Sequence, residues 1–91
     1  MLLDQLLGHR TYKLKSGDDV VIPKDYVARV ADNGDGIVFQ RPGAKGNADS
    51  IRVGGANSRY PNGYVRIYNS HGQPVDLRGK PGSQGFDTSS P

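Results

Sequence analysis

At 91 residues, with 34% hydrophobic content, 13 Gly and 6 Pro, the chain has room for one small domain with a modest core and many turns. The absence of Cys excludes disulfide staples and thiolate metal ligands, and two His without an HExxH spacing leave only scattered Asp for a zinc site. The net charge of +3 is unevenly spread, because residues 41–80 carry Arg41, Lys45, Arg52, Arg59, Arg66, Arg78 and Lys80 against only Asp49 and Asp76.

The apolar opening from Met1 to Leu7 contains Asp4 and is too short for a membrane span or a secretory signal. Leu2, Leu3, Leu6 and Leu7 fall at helical spacing, and Gly8 supplies a C-cap, so a short helix is expected within a lead-in over residues 1–10. His9 beside its end would complement the helix dipole. Thr11 to Lys15 alternates like a strand and stops at Ser16-Gly17-Asp18, while Val20-Val21-Ile22 is an apolar run ended by Pro23. Tyr26 to Ala31 suits either a helical turn or a strand.

Asp32-Asn33-Gly34-Asp35-Gly36 is a turn into a strand at Ile37 to Arg41, and it lacks the spaced carboxylates of a calcium loop. Pro42 to Asn47 is a Gly-rich loop without the Walker spacing. Ser50 to Val53 reads as a strand with Arg52 outward. Tyr60-Pro61-Asn62-Gly63 turns into Tyr64-Val65-Arg66-Ile67-Tyr68, whose alternation sends Val65 and Ile67 to one face and Tyr64, Arg66 and Tyr68 to the other. Asn69 to Gly72 is the next turn, Gln73 to Leu77 a returning strand, and Gly85 to Pro91 a fraying tail. All nine acidic residues are Asp, which suits strands and turns over helices. The sum is an α+β fold, with the short N-terminal helix packed on a small twisted antiparallel sheet of about four to five strands.

The stretch from Arg59 to Ser83 carries the chemistry. Cations interleaved with aromatics on a wet sheet face suit phosphates and unstacked bases, which makes RNA the favoured partner and an acidic protein the rival. A solvated basic face with no ligand is the plain alternative. Metal-independent RNA cleavage needs a base, an acid and cations around the phosphate, since the 2′-OH is itself the nucleophile. His71 brings an imidazole, the side-chain type most used to pass protons in catalysis, Arg52 and Arg66 offer planar donor forks, and Asp49 could orient a His. Tyr64, Tyr68, Arg59, Tyr60, Arg41, Lys45 and Lys80 complete the candidate RNA-binding set. Each also has a plainer use: His71 as an exposed turn residue, Arg66 in a cation–π pair with a neighbouring Tyr, Tyr60 pinning the turn, Asp49 shaping a loop.

Val38-Phe39-Gln40-Arg41-Pro42-Gly43-Ala44, Gly46-Asn47-Ala48-Asp49-Ser50-Ile51-Arg52, Arg59-Tyr60-Pro61-Asn62-Gly63-Tyr64-Val65-Arg66, Tyr68-Asn69, Gly72-Gln73-Pro74 and Gly79-Lys80-Pro81-Gly82-Ser83 together resemble the C-terminal toxin domains of bacterial polymorphic toxins and contact-dependent inhibition effectors. The resemblance spans roughly residues 37–83. It implies a small α+β, microbial-ribonuclease-like nuclease without cofactor, acting on RNA, tRNA among the candidates. Such a domain would be secreted or delivered from the cell surface of one bacterium, act in a target cell's cytoplasm, and be blocked by an acidic cognate immunity protein. It would be a monomer as toxin and a heterodimer with that protein. Domains of this type carry a Thr-His pair near their end, where this chain reads Asp87-Thr88-Ser89-Ser90-Pro91. The expectation is therefore a metal-independent ribonuclease toxin domain, with a non-catalytic RNA- or acidic-protein-binding module, or a catalytically dead toxin fragment, as the alternative.

Overall fold

The computed structural model describes residues 11–31, 36–54, 63–82 and 86–87. Eight strands run in chain order: β1 (Thr11–Lys13), β2 (Asp19–Val21), β3 (Val27–Val30), β4 (Ile37–Gln40), β5 (Ser50–Gly54), β6 (Tyr64–Tyr68), β7 (Pro74–Val75) and β8 (Phe86–Asp87). Strands β1 and β2 form an antiparallel hairpin of their own. The others build a second sheet in the order β3-β4-β5-β6-β7, with β8 also on β6 and every pairing antiparallel. Since β5 pairs with β6 along its whole length, β7 and β8 share the other edge of β6. The first takes Ile67 and Tyr68, the second Tyr64 and Val65.

This corrects the α+β, microbial-ribonuclease-like expectation. Among the described residues there is no helix, and the architecture is two packed sheets. The helix expected at Leu2 to Leu7 falls outside the described residues. The physical reason for the correction lies in the hairpin. Tyr12, Leu14, Val20 and Ile22 form one buried cluster with Ile37, Phe39, Ile51, Val53 and Val65 of the larger sheet, so a β layer occupies the place assigned to a helix. Alternation makes this possible, because Tyr12 and Val20 are buried while their strand neighbours Thr11, Lys13, Asp19 and Val21 are exposed. The Tyr12 and Phe39 rings meet with centroids 6.2 Å apart at an interplanar angle of 57°. Residues Tyr26 to Ala31, ambiguous in sequence, supply β3 at the edge of the sheet. Phe86–Asp87, within the stretch expected to fray, pairs with β6 instead. Among the described residues no helix is long and apolar enough to cross a membrane.

The core face of the larger sheet is laid down by register. Phe39, Ile51, Ile67 and Val75 stand side by side on successive strands, as do Ile37, Val53 and Val65. The turn before β4 needs glycine: Gly36 has φ +123°, and a Cβ there would run into the carbonyl oxygen of Val53. Depth varies along the first of these rows, since Phe39 is fully buried whereas Ile67 only packs against the cluster from its margin. Phe39→Ala is expected to cost about 3–5 kcal/mol and Ile67→Ala about 2 kcal/mol, the lower end for a buried aliphatic. Urea unfolding of the two variants checks the order. Equal losses, or a larger one at Ile67, would show that the deep core lies elsewhere.

Candidate nucleic-acid interface

The face of the larger sheet that turns away from the hairpin carries the candidate residues. Pairing places Arg29 beside Val38, Val38 beside Arg52 and Arg52 beside Arg66, so three arginines stand in one row across four strands. Arg52 and Arg66 are directly opposed on adjacent strands, and both are half-buried. Like charges in that position repel, a cost of about 0.2–1 kcal/mol on the scale of cross-strand pairs. The face is not a fully wet plane, because Val38 on it is buried.

Tyr64 and Tyr68 flank Arg66 on the same strand face but in different settings. Tyr64 is registered on Gly54, and its ring lies where a Cβ of that glycine would stand. The Arg66 guanidinium sits 5.9 Å from the centre of the same ring, a cation–π arrangement. Tyr68 lies between Ser50 on one side and Pro74 on the other.

At this end of the face the 41–49 loop is fastened by two buried polar side chains. Gln40 Nε2 donates to the carbonyls of Gly46 (3.0 Å) and Ala48 (2.8 Å), while its Oε1 accepts from Arg29 Nη1 at 2.7 Å. Ser50 Oγ donates to the Asn47 carbonyl at 2.7 Å. Every polar group that these two residues bury is thereby given a partner, which is the condition for burying it without a penalty. Sequence reasoning passed over Gln40, Ser50 and Arg29. The available signal was a lone amide and a lone hydroxyl at the ends of otherwise apolar strands.

Asp49 ends this loop in the left-handed region at φ 45°, a conformation Asp tolerates better than most residues. Its Oδ2 accepts from both Nε and Nη2 of Arg41, each at 2.9 Å. The phenol of Tyr26 is pushed above its ordinary value, first by burial, then by the charges of Asp49 and Asp25, with Arg41 opposing. These three side chains therefore form one polar group at the loop's base.

His71 is exposed in the β6–β7 turn, where its backbone N–H donates to Asn69 Oδ1 at 2.9 Å. Gln73 N–H donates to the same oxygen at 3.0 Å, and Asn69 N–H to the Gln73 carbonyl at 3.0 Å, so the turn is tightly closed. Asn69 also receives the backbone N–H of Asp49, which docks the turn against the 41–49 loop. The structure thus brings Arg52, Arg66, Tyr64 and Tyr68 onto one face. It puts His71 and Asp49 at one end of the sheet, but commits the Asp49 carboxylate to Arg41, so no His71–Asp49 hydrogen bond forms. Lys45 lies exposed in the loop and Lys80 exposed beyond β7. Arg59 and Tyr60 lie outside the described residues. No group of three or more His, Cys, Asp or Glu among the described residues is placed to hold a metal.

Lys80 belongs to a second closed turn. Asp76 Oδ1 accepts from the backbone N–H of Lys80 (2.8 Å) and of Arg78 (2.9 Å), and Asp76 N–H donates to the Lys80 carbonyl at 2.9 Å. The Lys80 bond above all holds the Asp76 carboxyl below its ordinary value, against the opposing effect of desolvation and with lesser help from the Arg78 bond and the two side-chain charges. No family model, curated protein or solved structure matches the chain.

A group whose pKa falls on folding stabilises the native state fully above its unfolded value, about 3.9 for Asp, and loses that effect as pH drops through the lower folded value. Asp76→Ala is therefore expected to melt below the parent protein at pH 7, with the gap narrowing toward pH 2. Thermal melts at the two pH values check this. A gap that is constant with pH would mean the carboxylate's charge plays no part in the turn.

Proposed function

We propose that the chain binds single-stranded RNA on the outer face of β5 and β6, holding a phosphate between Arg52 and Arg66, and that it does so as a toxin-type domain that cleaves RNA without a metal ion. The observation that carries the reading is the direct opposition of Arg52 and Arg66. Two arginines registered opposite one another on neighbouring strands gain when an anion bridges them, and their planar forks match phosphate oxygens. The concentration of cations over residues 41–80 supports the same partner, since it draws a polyanion toward this half of the chain. Single strands fit better than duplex, because a sheet face with tyrosines offers unstacked bases a platform.

For cleavage, the arginine pair would stabilise the charge that builds on the phosphorus centre as the 2′-OH attacks. His71, at the end of β6 on a closed turn, is the side chain best suited to move the proton. In this setting the domain passes from a producing bacterium into the cytoplasm of a target cell, and an acidic immunity protein covers the same arginines. The second reading, a binding module without turnover, draws support from the Arg41–Asp49 pair, which leaves no carboxylate on the imidazole.

Arg66→Ala is expected to weaken RNA binding by about 1–2 kcal/mol and to lower the slope of log affinity against log salt by about 0.7, the share of one phosphate contact on a single strand. Filter binding across a salt series measures both; an unchanged slope removes Arg66 from the phosphate site. RNA incubated with the domain in EDTA should be cut, and His71→Ala should slow the cutting by about 10²–10⁴ with affinity nearly unchanged. Tight binding with no cleavage by the parent protein would decide for the binding module.

A further inference from the structure

We infer that Tyr68, not Tyr64, is the aromatic of β6 that stacks on a base, and that Tyr64 instead positions Arg66. A bound nucleotide would then place its phosphate on Arg52 and Arg66 and its base on the Tyr68 ring. The inference rests on the RNA reading above and specifies how that face divides its work.

Sequence makes the two tyrosines look equivalent, since both lie two residues from Arg66 on the same strand face. Structure separates them. The Tyr64 ring lies over Gly54, the one residue on that strand face without a side chain to interfere, and the Arg66 guanidinium stands 5.9 Å from the ring centre. Gly54 backbone and Arg66 thus already make use of this ring, and inserting a base would have to displace one of them. The arrangement does something else well: it gives a long, flexible arginine a fixed aromatic to lie against, next to the like charge of Arg52.

The Tyr68 side chain makes no hydrogen bond or ring contact among the described residues. Its neighbours across the strands are Ser50, whose hydroxyl is turned to the Asn47 carbonyl, and the ring of Pro74. Between these small neighbours Tyr68 is half-buried, so part of its surface stays open to solvent. The surroundings are rigid as well: the 41–49 loop is fastened by Gln40 and Ser50, and the turn that follows is closed on Asn69. Along a strand, positions two apart are separated by about 6.6 Å, the scale of one nucleotide from phosphate to base. Arg66 and Tyr68 are spaced for the two ends of a single unit.

The test compares three probes: octauridylate, the same strand with abasic residues, and polyphosphate of matched charge. Tyr68→Leu should bind octauridylate about tenfold or more weakly, within the range of one lost base–aromatic stack, and bind polyphosphate as the parent does. Tyr68→Phe should retain both affinities, because stacking needs the ring and not the hydroxyl. Tyr64→Leu should weaken octauridylate and polyphosphate together, as Arg66 loses its support. A selective loss of octauridylate in Tyr64→Leu, or an equal loss of both probes in Tyr68→Leu, would overturn the assignment. If circular dichroism shows Tyr68→Leu unfolded, the parent protein decides: octauridylate must bind more tightly than the abasic strand. Equal binding of those two sinks the stacking inference but leaves the phosphate site standing, whereas a parent protein that binds none of the three probes removes the RNA reading itself.

Discussion

The pairing of β5 with β6 is the constraint on which both faces of the larger sheet depend. In its observed register Ile51 meets Ile67 and Val53 meets Val65 on the side packed against the hairpin, while Arg52 meets Arg66 and Gly54 meets Tyr64 on the other. Side chains alternate with a period of two, so a slip by one residue would send the valines and isoleucines out and drive the arginines into the core. Burying an unpaired guanidinium there costs far more than the like-charge repulsion it avoids. The hydrophobic demand of one face therefore imposes the arginine pair on the other. Gly54 suits this register, since the Tyr64 ring occupies the space that a Cβ there would take.

A second set of constraints fixes what surrounds this pair. Gln40 and Ser50 follow the same alternation as Val38 and Arg52 and so point to the outer face, yet both are buried. Their hydrogen bonds to three loop carbonyls tie a Gly-rich segment to the ends of β4 and β5. Gln40 also accepts from Arg29, so the arginine at the sheet's edge is held while Arg52 and Arg66 face each other. The charge on the loop itself is largely settled internally, because Arg41 and Asp49 neutralise one another. Lys45, Arg78 and Lys80 are exposed, whereas Arg52 and Arg66 are half-buried at the centre of the sheet.

Much of the sheet was legible in the sequence, and the reasons are local. The strict alternation of Tyr64 to Tyr68 and of Ile51-Arg52-Val53 encodes which residues face the core, and it holds in the structure. Asn-x-x-Gly punctuation located the turn at Asn69 to Gly72, while the turns expected at Asp32 to Gly36 and Tyr60 to Gly63 fall mostly outside the described residues. The layer opposite was not legible. An apolar stripe at Leu2 to Leu7 read as the cover for the core, whereas Tyr12, Leu14, Val20 and Ile22 provide it from a hairpin whose strands are only three residues long each. Periodicity identifies a buried side but not the element that buries it, because that depends on contacts between segments far apart in sequence. The same limit explains the candidate site. Arg52 and Arg66 were named as charges on neighbouring strands, but their direct opposition depends on register, and the capture of Asp49 by Arg41 depends on a loop conformation that composition does not encode.

The arginine pair also bears on how stability and binding are linked in so small a domain. A native state of this size holds only about 5–15 kcal/mol, so a repulsion of several tenths of a kcal/mol at the centre of its main sheet is a measurable fraction. Replacing Arg52 by a neutral residue would relieve it, which is the usual mark of a residue kept for something other than the fold. An anion seated between the two guanidiniums relieves it as well, and by mass action adds RT ln(1 + [L]/Kd) to the stability of the folded chain alone. On the proposed RNA reading, the same two side chains would weaken the free domain and strengthen the occupied one. The core enforces the register and so the backbone positions of both arginines, while the reach of their side chains, Arg66 lying against the Tyr64 ring, sets how much of that repulsion is felt.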